Sequence, residues 1–167
     1  MAQRIYKRNW PRKNLGELLD FIDRQYPDGY ILDELASKLG VTAQYLSQLF
    51  GSDNMKLSAA SRIAERFGYR LRLYFPEKEW FGWGTPPIMK REFPNAGILA
   101  GLANYVRQNG RSINYLSKQL GRTNHVLTDA FNKGDIYINT LYDLTKFLNI
   151  EFIWSFEQIE TDKQINN

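Results

Sequence analysis

The sequence predicts a mainly α-helical protein with short β-strands, made of two related units in tandem. Three observations predict it. Shifting the chain by 81 residues superposes residues 35–75 on residues 116–156 without a gap. Each copy carries apolar residues at helical spacing, punctuated by capping residues and glycines. Each copy ends in a run of strict apolar alternation.

The repeat rests on identities and on residue class. Leu35, Leu39, Gly40, Thr42, Leu46, Phe50 and Phe75 recur as Leu116, Leu120, Gly121, Thr123, Leu127, Phe131 and Phe156. Leu57, Ile63, Phe67, Leu71 and Leu73 face Ile138, Leu144, Leu148, Phe152 and Trp154. The organisation expected is a basic N-terminal arm over 1–13, a first domain over 14–75 and a linker over 76–94. A second domain over 95–158 and a tail over 159–167 complete it.

Each copy reads as four helices and a strand. In the first, Asn14 stands at an N-cap, and Glu17 completes a capping-box spacing ahead of Leu15, Leu18, Leu19 and Ile22. Tyr26, Pro27, Asp28 and Gly29 end that helix. A short helix follows through Leu32, Leu35, Ala36 and Leu39, and Gly40 stands where a left-handed residue is wanted. Thr42 caps the third helix, which carries Leu46, Leu49 and Phe50. Gly51 to Asn54 reads as a turn, and Ser58 as the cap of a fourth helix closed by Gly68. Asn149 holds the Gly68 position in the second copy, and asparagine tolerates left-handed geometry.

The terminal runs read as strands. Tyr69, Leu71, Leu73 and Phe75 alternate with Arg70, Arg72 and Tyr74. Ile150, Phe152, Trp154 and Phe156 alternate with Glu151, Ile153 and Ser155. A lone strand leaves its backbone groups unpaired. The two strands are therefore expected to pair with each other, or with those of a second chain. Pairing within one chain would relate the copies by a pseudo-twofold axis. Residues 76–94 hold four of the six prolines, with Trp80, Phe81, Trp83 and Phe93. So aromatic a connection is expected to pack against the domains.

Charge and composition narrow the function. Residues 1–13 carry Arg4, Lys7, Arg8, Arg12 and Lys13 and no acid, a pattern suited to a phosphate backbone. There is no cysteine and one histidine, which removes thiol chemistry and leaves no cluster of metal ligands. Gly82-Trp83-Gly84 lacks the lysine and helix start of a phosphate loop. His125 has no identifiable general-base partner. No enzyme, cofactor or metal is expected. No apolar run is long enough to span a bilayer and the N-terminus has no apolar h-region, so a cytoplasmic location is expected.

The segment LDELASKLGVTAQYLSQLF, followed by SDNMKLSAASRIAERFG, resembles the Xre/phage-repressor (lambda repressor-like) helix-turn-helix family. A lesser resemblance, through ELASKLGVTAQYLSQLF, is to the AraC-type helix-turn-helix. Ala36 is small where two helices cross, Gly40 permits the bend, and Leu35, Leu39, Val41, Leu46 and Leu49 are expected to fill the wedge. The second copy departs from this pattern, with Ser117 for Ala36, Arg122 for Val41 and Ala130 for Leu49.

The resemblance implies two lambda repressor-like helix-turn-helix domains and a sequence-specific, DNA-binding transcriptional regulator. In that family the helix after the turn enters the major groove. It would present Thr42, Ala43, Gln44, Tyr45, Ser47 and Gln48 in the first copy, and Thr123, Asn124, His125, Thr128 and Asp129 in the second. Gln44 and Gln48 lie four residues apart, on one face, and glutamine pairs bidentately with adenine. Candidate phosphate contacts are Lys38, Lys56, Arg62, Arg111, Lys118 and Lys133. The expected partners are double-stranded DNA and a homodimer formed through the C-terminal strands. The alternative is a protein-interaction module, antitoxin-like or a mobile-element accessory factor, whose second copy dimerises rather than binds DNA. The near-neutral second half and the Arg122 and Asp129 departures motivate that alternative.

Overall fold

The computed structural model describes residues 9–75 and 96–160. The elements run α1 (Gly16–Gln25), α2 (Leu32–Leu39), α3 (Ala43–Ser52), α4 (Leu57–Arg66), β1 (Tyr69–Tyr74), α5 (Ala96–Gln108), α6 (Ile113–Gln119), α7 (Asn124–Lys133), α8 (Ile138–Phe147) and β2 (Ile153–Gln158). Among the described residues this is four helices and a strand, twice. No helix among them is long and apolar enough to cross a membrane. The expected linker over 76–94, the basic residues Arg4, Lys7 and Arg8, and most of the tail lie outside the described residues.

Among the described residues the strands pair with each other, antiparallel, in a two-stranded sheet. Leu73 lies opposite Trp154, and 154 − 73 is the repeat offset, 81. Lys56 and Tyr137 form an isolated antiparallel bridge, and 137 − 56 is again 81. Around it Leu57 N–H donates to the Ile136 carbonyl at 2.8 Å, and Ile138 N–H donates to the Met55 carbonyl at 2.9 Å. An antiparallel pair has a local two-fold axis between its partners. Here both axes fall between residues that the repeat makes equivalent.

The alternation read from sequence sets which side of the sheet is buried. Leu71, Leu73 and Trp154 are buried, while Arg70, Arg72, Tyr74 and Ile153 are exposed. The buried side packs on helices of both copies. Phe21 of α1 stacks on Phe156 of β2, with centroids 4.1 Å apart and planes at 8°. Trp154 donates its indole N–H to the Tyr142 hydroxyl of α8 at 2.9 Å. One apolar cluster runs from Leu15 to Trp154 through both copies. β2 begins at Ile153 rather than Ile150, although Ile150 and Phe152 still face the core.

Several turn assignments hold. Gly40 has φ 71°, Gly68 φ 81° and Asn149 φ 54°. Gly40 N–H donates to Ser37 O and Val41 N–H to Ala36 O, which closes the end of α2. The second copy repeats that closure, with Gly121 N–H to Lys118 O and Arg122 N–H to Ser117 O.

Two cap assignments and one turn are corrected. Asn14 does not cap α1; Leu15 is its N-cap residue, and no side chain there makes a cap bond. Asp53, far along the chain, does that work. Its carboxylate accepts from Asn14 N–H at 3.0 and 3.1 Å and from Leu15 N–H at 3.0 Å. Ser58 does not cap α4, which begins at Leu57. Ser58 donates its N–H and hydroxyl to the Asp135 carboxylate in the other copy, at 3.0 and 2.6 Å. Symmetrically, Asn139 N–H of α8 donates to the Asn54 side chain at 3.0 Å. Gly51 and Ser52 still belong to α3, and the turn centres on Asp53, at φ 54°.

Part of the stretch read as an N-terminal arm packs on the first copy. Arg12 bridges Asp20 at 2.6 Å and Asp23 at 3.1 Å on α1, and Trp10 packs edge-on against Phe50 with centroids 5.7 Å apart. Residues 10–12 are thus docked on the first copy.

Candidate nucleic-acid interface

The local chemistry places α3 at an angle to α2. Left-handed Gly40 turns the chain, and Thr42, extended at φ −84° and ψ 150°, starts the new helix. The Thr42 hydroxyl accepts from Tyr45 N–H at 3.1 Å, satisfying one of the free donors at the helix start. Leu46 and Phe50 are buried and pin the helix to the core. At helical spacing that leaves Gln44, Tyr45 and Gln48 on the outer face, where all three are exposed. Ala43 and Ser47 are half-buried at its margin. Of the first-copy residues named from sequence, Gln44, Tyr45 and Gln48 form the outward set, and Thr42 serves as the cap.

Helix α7 repeats the placement. Thr123 is its exposed N-cap residue, without a side-chain cap bond. Leu127 and Ala130 face inward, while His125, Val126, Asp129 and Lys133 face out. Thr128 is half-buried. The Asn124 side chain lies outside the described residues.

Two expectations about the wedge change. Val41 is 36% exposed and so does not fill it. Arg122, its counterpart, lies on the surface and bridges Asp143 of α8 at 3.0 Å. The substitution therefore exchanges one surface residue for another and leaves the packing of the second copy intact.

The basic candidates divide by location. Lys38, Lys56, Arg62, Arg111, Lys118 and Lys133 are all exposed. Arg111 lies over the Phe147 ring at 5.2 Å and Lys38 over the Phe67 ring at 5.8 Å, so their stems are partly committed to packing. Arg62 lines a groove of about 540 Å³ beside Tyr45 and Leu49 of α3. Lys56 has a placement that the sequence reading missed. It precedes α4, sits 5.6 Å over the Tyr137 ring, and lines a groove of about 540 Å³ with Val126, Asp129 and Lys133 of α7. A lysine numbered with the first copy thus belongs spatially to the second helix's outer face. Tyr137, 46% exposed, was also missed; its alignment with Lys56 in the repeat was the available signal.

The arrangement offers two outward helix faces of polar and aromatic side chains. Lysines lie where the chain leaves each helix. Compared with known proteins, the chain matches no family model, no curated protein and no solved structure.

Proposed function

We propose that the chain is a sequence-specific, double-stranded-DNA-binding transcriptional regulator. Its fold is read as two helix-turn-helix domains of lambda repressor-like kind. In each, α2 with α3 and α6 with α7 are the motif pairs. The observation that carries the reading is α3: capped by Thr42, held by Leu46 and Phe50, and presenting Gln44, Tyr45 and Gln48 to solvent. A helix with its side chains is about 10–12 Å across, narrow enough to seat its outer face in a major groove about 12 Å wide. Gln44 and Gln48 reach base edges there, and Lys56, Arg62 and Lys133 meet phosphates.

The homodimer expected from the sequence was to form through the C-terminal strands. Among the described residues β1 and β2 pair with each other within one chain. That pairing is compatible with a regulator in which one chain carries both copies.

A gel shift on a pool of random duplexes at graded salt tests the reading. Binding should weaken steeply as salt rises, because phosphate contacts release counterions. Changing both Gln44 and Gln48 to Ala should flatten base preference and leave the salt slope intact. Tight binding insensitive to salt, or a preference unmoved by the double change, defeats the reading.

A further inference from the structure

We infer that one chain acts as a fused pseudo-dimer that reads an asymmetric duplex site in a single orientation, α3 on one half and α7 on the other. The inference rests on the DNA-binding reading above and specifies its partner.

Two pairs of repeat-equivalent residues lie on local two-fold axes between the copies. Leu73 and Trp154 meet in the sheet, and Lys56 and Tyr137 meet in the bridge. The first pair is buried. The second is exposed and lies just past the C-terminal ends of α3 and α7. One meeting of the copies thus lies in the core and the other on the surface where both outward helices end. The groove joining Lys56 to Val126, Asp129 and Lys133 opens on that surface. B-form DNA has local two-fold axes through its grooves, so a protein with such an axis matches two half-sites.

The register between the helices is locked. The Asp135 carboxylate holds Ser58, and the Asn54 side chain holds the N–H of Asn139. Each turn following an outward helix therefore caps the helix behind the other. The spacing of α3 and α7 is set within one chain, with no association step required.

The two faces differ at every outward position the repeat aligns. Gln44 faces His125, Tyr45 faces Val126, and Gln48 faces Asp129. The chemistry they select differs too. Glutamine takes the adenine edge, aspartate accepts from the cytosine amino group, and valine contacts the thymine methyl. Asp129 would be repelled by phosphates alone. Lys56 and Lys133 line its groove and supply the compensating charge.

The test is enrichment of a random duplex library by the full-length chain, followed by stoichiometry on the enriched site. The expected site has two unlike halves about 10 base pairs apart, bound by one chain. Asp129→Ala should relax preference in one half by roughly 10-fold and Gln48→Ala in the other. Both are exposed, so neither change should impair folding. A palindromic site holding two chains, or a single half-site unmoved by Asp129→Ala, would overturn the inference and leave DNA binding standing. Enrichment of no sequence would sink the DNA-binding reading itself.

Discussion

Asp135, in the turn after α7, accepts two hydrogen bonds from Ser58 of α4, from the backbone N–H at 3.0 Å and from the hydroxyl at 2.6 Å. It also accepts from its neighbour Ile136 N–H at 3.0 Å. One carboxylate thus shapes its own turn and caps a helix 77 residues away. Asp135→Ala leaves those donors unmet and should lower stability by about 2 kcal/mol, read from urea unfolding. Asp135→Asn keeps one acceptor oxygen and should cost about half as much. An unchanged midpoint for the alanine variant would show that the latch carries no weight.

Asp53 makes the matching prediction within the first copy. It is 8% exposed and holds the N–H groups of Asn14 and Leu15, just before and at the N-cap of α1. It also adopts φ 54°, a left-handed conformation that asparagine tolerates better than alanine. Asp53→Ala should therefore destabilise more than Asp53→Asn, by about 1 kcal/mol, combining lost acceptors with backbone strain. Equal midpoints for the two variants would refute this account.

Ser117 offers the opposite sign. It is fully buried and its hydroxyl has no hydrogen-bond partner among the described residues, whereas the equivalent residue in the first copy is Ala36. Ser117→Ala removes an unsatisfied polar group and installs the better helix former. It should raise stability by about 1 kcal/mol in urea unfolding. The reciprocal Ala36→Ser should lower it, because that site is equally closed at 3% exposure. A fall in midpoint for Ser117→Ala would mean the hydroxyl has a role that its surroundings do not reveal.

Tyr30 should titrate late. Burial, and after it the charge of Asp23, pushes its hydroxyl up to about 12 from the ordinary 10.0. The folded value lies above the unfolded one. Its contribution to stability is therefore complete below the unfolded value and is lost as pH rises through the folded one. An alkaline titration of tyrosinate absorbance should show a last component that Tyr30→Phe removes. Survival of that component in the variant would assign it elsewhere; Tyr26 and Tyr142 are raised too, each chiefly by burial.

What could be read directly was whatever depends on neighbours in the chain. The period of Leu46 and Phe50 marks the buried face of α3 and so, by subtraction, the exposed positions of Gln44, Tyr45 and Gln48. Gly40, Gly68 and Asn149 announce left-handed turns, because few residues accept positive φ. The two alternating runs announced strands that must pair, with each other or with those of a second chain.

The sequence alone determined the elements, their buried faces and the two-copy plan, since those follow from local sterics and periodic hydrophobicity. Only the tertiary structure decided what closes the helix ends and where the copies meet. An orphan N–H needs an acceptor within about 3 Å, and the chain can deliver one from any distance along its length. Hence Asn14 and Ser58 look like caps in sequence, while Asp53 and Asp135 do the capping. For the same reason Lys56 joins the face of α7: the bridge to Tyr137 carries it there, and the 81-residue repeat aligns the two positions without saying that they touch.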